Sequence, residues 1–140
     1  MDNLQYSRPI DVHRISEHPE VQRVISYLLS LLKEGGLIKG SPRDKVLRHL
    51  KVVVLDLYIA YLGDPLLYLS YSRAKGAYRK DQRRGKLFLG YGPMTTVVDG
   101  LSSLGYLEDH RGFYDRDRRT GFESRMRATS RLLDLIHNHA

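Results

Sequence analysis

Residues 93–136 read PMTTVVDGLSSLGYLEDHRGFYDRDRRTGFESRMRATSRLLDLI, and the apolar period changes twice along this run. Met94, Val97, Val98, Leu101 and Leu104 recur at three and four, one face of a helix that Pro93 opens and Gly105 closes. Tyr106 to Arg111 then reads as a strand, followed by Gly112-Phe113-Tyr114 and a polar tip from Asp115 to Gly121. Phe122 to Ala128 forms the return strand, on which Arg125 and Arg127 share a face because strand side chains alternate. Thr129 or Ser130 caps a last helix holding Leu132, Leu133, Leu135 and Ile136. Helix, hairpin with a charged tip, and closing helix therefore follow one another directly.

The second face of the helix from Pro93 is made of Thr95, Thr96, Asp99, Ser102 and Ser103. A surface helix selected for stability alone favours Glu, Lys, Arg and Gln at such positions. Small hydroxyl side chains instead let a partner approach closely and can hydrogen-bond phosphates or base edges. An ordinary exposed face accounts for the same residues equally well when this helix is read alone.

Upstream, Pro19 precedes Val21, Val24, Ile25, Leu28 and Leu32, an amphipathic helix that stops at Gly35-Gly36. Ser41 and Pro42 supply the cap and first-turn proline of a second helix. Its stripe runs through Val46, Leu47, Leu50, Val53, Val54, Leu57, Tyr58 and Tyr61 to Gly63-Asp64-Pro65, which is long enough for the central buried helix of a small domain. Leu66 to Ser72 alternates as a short strand. Residues 73–86 have seven basic residues against one acid and little periodicity, and a short helix in a basic loop is the reading given to them.

Charge sharpens the picture. The chain has 140 residues, 23 Lys and Arg against 16 Asp and Glu, a net +7. Between Arg73 and Arg131 there are fourteen basic and seven acidic residues, so this segment carries the whole excess and the remainder balances. A local excess implies a surface that meets an anion, nucleic acid being the commonest. With 41% hydrophobic and 28% charged residues the chain is of ordinary globular composition, sized for a single domain. The absence of cysteine excludes a disulfide scaffold, a zinc ribbon and a thiol enzyme, and makes a cytoplasmic setting the expectation. The apolar run from Val24 to Leu32 is far short of the ~20 residues of a membrane span. The first twenty residues mix Asp2, Arg8, Asp11, Arg14 and Glu17 without the apolar centre of a signal peptide.

The stretch VVDGLSSLGYLEDHRGFYDRDRR resembles the recognition-helix-to-wing passage of MarR-class bacterial regulators. Leu101, Gly105, Tyr106 and Leu107 correspond to the helix end, and Asp117-Arg118-Arg119 to the wing signature. The passage through SRMRATSRLLDLI is also similar to a winged-helix segment near the start of longer, poorly characterised plasmid- and phage-associated bacterial proteins. That second likeness would make the chain a piece of a longer protein and would set a replication or partner-docking role beside repression. Both resemblances imply an α+β, mainly α fold: a winged helix-turn-helix with an extra N-terminal helix and a β-hairpin wing. One domain over 1–140 is expected, a helical extension at about 1–40 and the winged-helix core at about 41–140.

The implied function is binding of double-stranded DNA, without cofactor or catalysis, in a bacterial transcriptional regulator or replication-associated protein. Thr95, Thr96, Asp99, Ser102 and Ser103 would face the major groove. Arg111, Arg116, Arg118, Arg119, Arg125 and Arg127 would meet phosphates or enter the minor groove. Lys75, Arg79, Lys80, Arg83, Arg84 and Lys86 would grip the flanking backbone. The apolar face of the first helix, at Val21, Val24, Leu28 and Leu32, suits either a homodimer or burial against the second helix. A winged-helix docking module without DNA is the alternative function.

A metal-dependent nuclease using Asp109, Asp115, Asp117 and Glu123 is a weaker alternative, because these acids balance charge around an exposed hairpin. No phosphate-cradling loop, His-Glu-x-x-His motif or nucleophile elbow occurs, and the His137-Asn138-His139 run reads as a chain end rather than a metal site. Asp56 is expected to edge the long helix's stripe or to pair locally, rather than to act as a catalyst. Tyr27, Tyr58 and Tyr61 are expected in the core, with Tyr78, Tyr91 and Tyr114 left as candidate stacking residues.

Overall fold

The computed structural model describes residues 5–6, 17–37, 43–71, 91–115, 120–122 and 124–138. The elements in chain order are β1 (Gln5–Tyr6), α1 (Pro19–Glu34), α2 (Arg43–Gly63), β2 (Tyr68–Tyr71), α3 (Tyr91–Ser103), β3 (Leu107–His110), β4 (Phe113–Asp115), β5 (Thr120–Phe122), β6 (Ser124–Ala128) and α4 (Ser130–Asn138). The fold is α+β and mainly helical. The capping pair Ser41-Pro42 and the basic stretch 73–86 lie outside the described residues.

Two glycines set the ends of helices α1 and α3. At Gly36 (φ 70°) the amide donates to Lys33 O at 3.1 Å, while Leu37 N reaches Leu32 O at 2.9 Å. At Gly105 (φ 82°) the same paired bonds recur, Gly105 N to Ser102 O at 3.0 Å and Tyr106 N to Leu101 O at 2.9 Å. These are Schellman closures, in which a left-handed residue satisfies carbonyls that the helix end leaves open. The second one turns the chain from α3 straight into β3.

The main sheet has the order β1-β2-β6-β3, parallel between β1 and β2 and antiparallel elsewhere. Leu69 faces Met126, and Met126 faces Asp109 across the next pair. Beyond a bend at Arg111-Gly112 the hairpin continues as a separate β4–β5 ribbon, Phe113 opposite Phe122 and Asp115 opposite Thr120. Gly112 N donates to the buried Ser124 Oγ at 2.9 Å, which holds the two halves of the hairpin together at that bend.

Leu69, Tyr71, Ser124, Met126, Ala128 and Leu107 point to the helical side of the sheet and are buried. α2 packs against α1, α3, β2 and β6, and α1 also meets α4. This surrounds α2 more completely than its stripe indicates: Val52, Leu55 and Ala60 are buried beside the expected positions, and so are His49 and Asp56. Asp56, expected at the stripe's edge, is fully buried. Tyr58 joins the core as expected; Tyr27 does not, being 40% exposed on the outer side of α1, and Tyr61 is half-buried. β1 has no counterpart in the sequence reading, because a two-residue strand paired in parallel with a segment over sixty residues away leaves no local pattern. The return strand is likewise shorter than Phe122 to Ala128, being divided into β5 and β6.

Val21, Val24, Leu28 and Leu32 are fully buried within the chain. The apolar face of α1 is thus covered by its own fold. Leu32 also lies where a β-carbon on Gly100 would fall, at 2.4 Å from Leu32 Cδ2. Glycine at 100 lets α3 approach α1 this closely.

Candidate nucleic-acid interface

α3 buries Met94, Val97, Val98 and Leu101 and leaves Thr95, Thr96, Asp99 and Ser102 half-buried, with Ser103 exposed. The five small polar residues singled out from the sequence therefore lie off the buried stripe of one helix.

Arg111, just past β3, joins this helix to the hairpin. Its Nη2 donates to Asp99 Oδ1 at 3.2 Å, and its Nε lies 4.0 Å from Asp109 Oδ2. The arginine side chain is 65% exposed, whereas that of Asp109 is only 7% exposed. Asp109 faces the helices, where the hydroxyl of fully buried Tyr71 donates to its Oδ1. A chain of polar contacts thus runs from Tyr71 in β2 through Asp109 in β3 and Arg111 to Asp99 on α3.

Arg125 and Arg127 do share a face, as their spacing requires, but it is the face of the sheet turned away from α3. There Arg127 Nε donates to Glu108 Oε1 at 3.1 Å. Its guanidinium carbon lies 4.4 Å from the centroid of the Tyr68 ring, and that of Arg125 lies 5.3 Å away. Tyr68 Oη donates to Glu108 Oε2 at 2.9 Å, and His110 Nε2 donates to the same oxygen at 2.7 Å. These bonds hold the Glu108 carboxyl down at about 2, the His110 bond contributing most, Tyr68 and Arg127 adding to it, and burial opposing them. Burial pushes the Tyr68 phenol up, helped by its bond to Glu108.

Of the six hairpin arginines proposed as one contact set, the three that are described do not share one surface. Arg111 belongs with α3. Arg125 and Arg127 belong to the outer sheet face, where Arg127 is engaged by a carboxylate and a ring. Arg116, Arg118 and Arg119 lie outside the described residues, as do Lys75, Arg79, Lys80, Arg83, Arg84 and Lys86. Sequence reasoning missed Tyr68, Glu108 and His110. The alternation Tyr68/Ser70 and Glu108/His110 was visible, but the pairing that stacks them beside Arg125 and Arg127 was not.

Of the carboxylates weighed for a nuclease, only the Asp109 side chain is described. Asp109 is turned to the helices and bonded to Tyr71, while Asp117 and Glu123 lie outside that set. Among the described residues, no group of three His, Asp or Glu is placed to hold a metal ion, and no helix is long and apolar enough to cross a membrane.

A second polar cluster closes the far end of the helical layer. Tyr58 Oη donates to Glu20 Oε2 at 2.8 Å and lies 3.4 Å from His137 Nε2, while the His18 and His137 rings meet Tyr58 edge-on. Burial, together with Glu20, pushes Tyr58 up to about 12. His137 thus docks the end of α4 onto α2. Compared with protein-family models, with curated proteins and with solved structures, the chain matches none.

Proposed function

We propose that the chain is a winged helix-turn-helix module that binds double-stranded DNA without catalysis, with α3 in the major groove and the β4–β5 hairpin as the wing. The observation that supports this most is the succession at Gly105. A helix with a small-residue polar side passes through a tight closure into an antiparallel hairpin, whose return strand β6 pairs with β2 between the first helices and α3. That order, three strands as β2-β6-β3 against a helical layer, is compatible with a winged-helix layout. The basic excess between Arg73 and Arg131 falls on the same part of the chain.

In this reading Thr95, Thr96, Ser102 and Ser103 meet base edges, and Arg111, bonded to Asp99, reaches the groove from the hairpin root. Arg116, Arg118 and Arg119 meet the flanking strand, and the 73–86 segment meets phosphates. Arg125 and Arg127 contribute to the positive field rather than to the α3 groove contact, since they lie across the sheet from α3.

A gel-shift titration against random duplex DNA, single strands and structured RNA at two salt concentrations tests it. Duplex should be preferred, and with six to ten phosphate contacts affinity should fall roughly 10³- to 10⁵-fold between 50 and 200 mM salt. Equal affinity for all three nucleic acids would overturn duplex recognition, and no binding at the lower salt would overturn the reading and favour a protein-docking module.

A further inference from the structure

We infer that Arg111 is a guanine-reading residue, held ready for a base edge by Asp99 and Asp109; this rests on the duplex-DNA reading above. An arginine on a protein surface ordinarily samples many rotamers, and fixing it on a ligand has an entropic cost. Arg111 is met by carboxylates at two points. Nη2 is bonded to Asp99 Oδ1 at 3.2 Å and Nε lies 4.0 Å from Asp109 Oδ2.

The second anchor is itself built in. Asp109 is 7% exposed and receives the hydroxyl of Tyr71, a side chain with no exposed surface. A carboxylate and a phenol inside the fold thus steady a guanidinium that is 65% exposed. Salt bridges at the surface contribute little to stability, so this arrangement gains more by orienting the arginine than by holding the fold.

A guanidinium has five N–H donors in a planar fork. The hydrogen bond at Nη2 and the longer ion pair at Nε leave Nη1 without an acceptor among the described residues. The end of the fork, one hydrogen of Nη1 beside one of Nη2, matches two acceptors side by side. On the major-groove edge of a base pair, guanine presents such a pair in O6 and N7. Asp99 lies on the polar side of α3, so the guanidinium is tethered to the helix proposed to enter that groove. Its charge serves a further purpose: a carboxylate beside the arginine disfavours a phosphate as the ligand and favours a neutral base edge. Asp99, Asp109 and Tyr71 are positioning residues, and Arg111 makes the contact.

The test is selection of binding sites from random duplex DNA by the 140-residue chain, the Arg111→Ala variant and the Asp99→Ala variant, with circular dichroism confirming that each is folded. The native chain should return a site with guanine fixed at one position, preferred over other bases by roughly 5- to 150-fold. Arg111→Ala should lose that preference while the rest of the site and the salt slope stay as they were. Asp99→Ala should weaken the preference several-fold while affinity for unrelated duplex is unchanged or raised, because a negative charge has been removed.

Three outcomes overturn the inference. A selected site identical in Arg111→Ala and native chain removes Arg111 from base reading while leaving duplex binding intact. A uniform loss of affinity on all sequences, with a shallower salt slope, makes Arg111 a phosphate contact. Absence of duplex binding by the native chain overturns both this inference and the function on which it rests.

Discussion

Gly105 carries a positive φ of 82° at the point where α3 becomes β3. A β-carbon there would meet only Arg131 Cδ, at an ordinary 3.7 Å, so the demand for glycine comes from the backbone and not from crowding. Gly105→Ala should therefore lower stability by about 1–2 kcal/mol, read as a shift of the urea midpoint at constant slope. Gly100 is the opposite case, an ordinary helical glycine whose added carbon would collide with Leu32. Glu108 supplies a pH-dependent test. Its folded value of about 2 lies below the ordinary 4.5, so its stabilising effect is complete above pH 4.5 and is lost as pH falls towards 2. Glu108→Gln should flatten this acid limb, and the native and variant stability curves should approach each other near pH 2; curves that run parallel would separate Glu108 from the acid response. Both glycines stand in the sequence, and Gly105 was legible as a helix stop because stop signals are local. The role of Gly100 was not, since it depends on a leucine sixty-eight positions away.

Among the helices, α4 shows how far a short amphipathic segment depends on its docking. Nine residues are too few for a helix stable by itself. Leu132, Leu133 and Ile136 are buried, and His137 reaches Tyr58. Leu132→Ala should cost roughly 2–5 kcal/mol. Neighbouring Arg131, exposed with its guanidinium carbon 4.9 Å from the Tyr106 ring centroid, should cost only about 0.5–1 kcal/mol when changed to Ala. Thermal unfolding of the two variants at one pH separates these cases. Elements of this kind were readable from spacing: α1, α2, α3 and α4 all appear where the apolar period places them, and β3 and β6 where the alternation does. The burial of α2 was under-read because periodicity marks one side of a helix, whereas a helix enclosed by α1, α3 and the sheet also buries residues off the stripe, including His49 and Asp56. In the candidate site, the polar side of α3 and the shared face of Arg125 and Arg127 were legible for the same reason. The Tyr71–Asp109–Arg111–Asp99 connection was not, because it joins three elements whose approach depends on tertiary packing.

For the whole molecule, charge and assembly are the quantities to measure. The +7 net charge lies between Arg73 and Arg131, so the molecule has one strongly basic segment and a charge-balanced remainder. Replacing Arg118 and Arg119 together by Ala should weaken binding to all duplexes and make the logarithmic salt slope shallower by about 1–2; unchanged isotherms across a salt series would remove the wing from the contact. Changing Thr96 or Ser102 should alter sequence preference more than overall affinity, as comparison of selected sites would show. With the apolar face of α1 buried in the fold, Val24→Asp should unfold the chain rather than merely dissociate a dimer, an outcome that light scattering and circular dichroism together distinguish.

Thr129 lies at the start of α4, and its hydroxyl donates to Gly105 O at 2.7 Å while its amide reaches Tyr106 O at 3.2 Å. The chain therefore leaves the helical layer and returns to it at one stitched point. The hairpin between is a closed loop in the topological sense, with both ends clamped together independently of what lies at its tip. The closure at Thr129 does not involve the tip, so a tip of different composition grafted between residues 115 and 120 should leave the register of α3 and α4 unchanged. A family of chimaeras differing only there would keep one stability and vary in the surface they present.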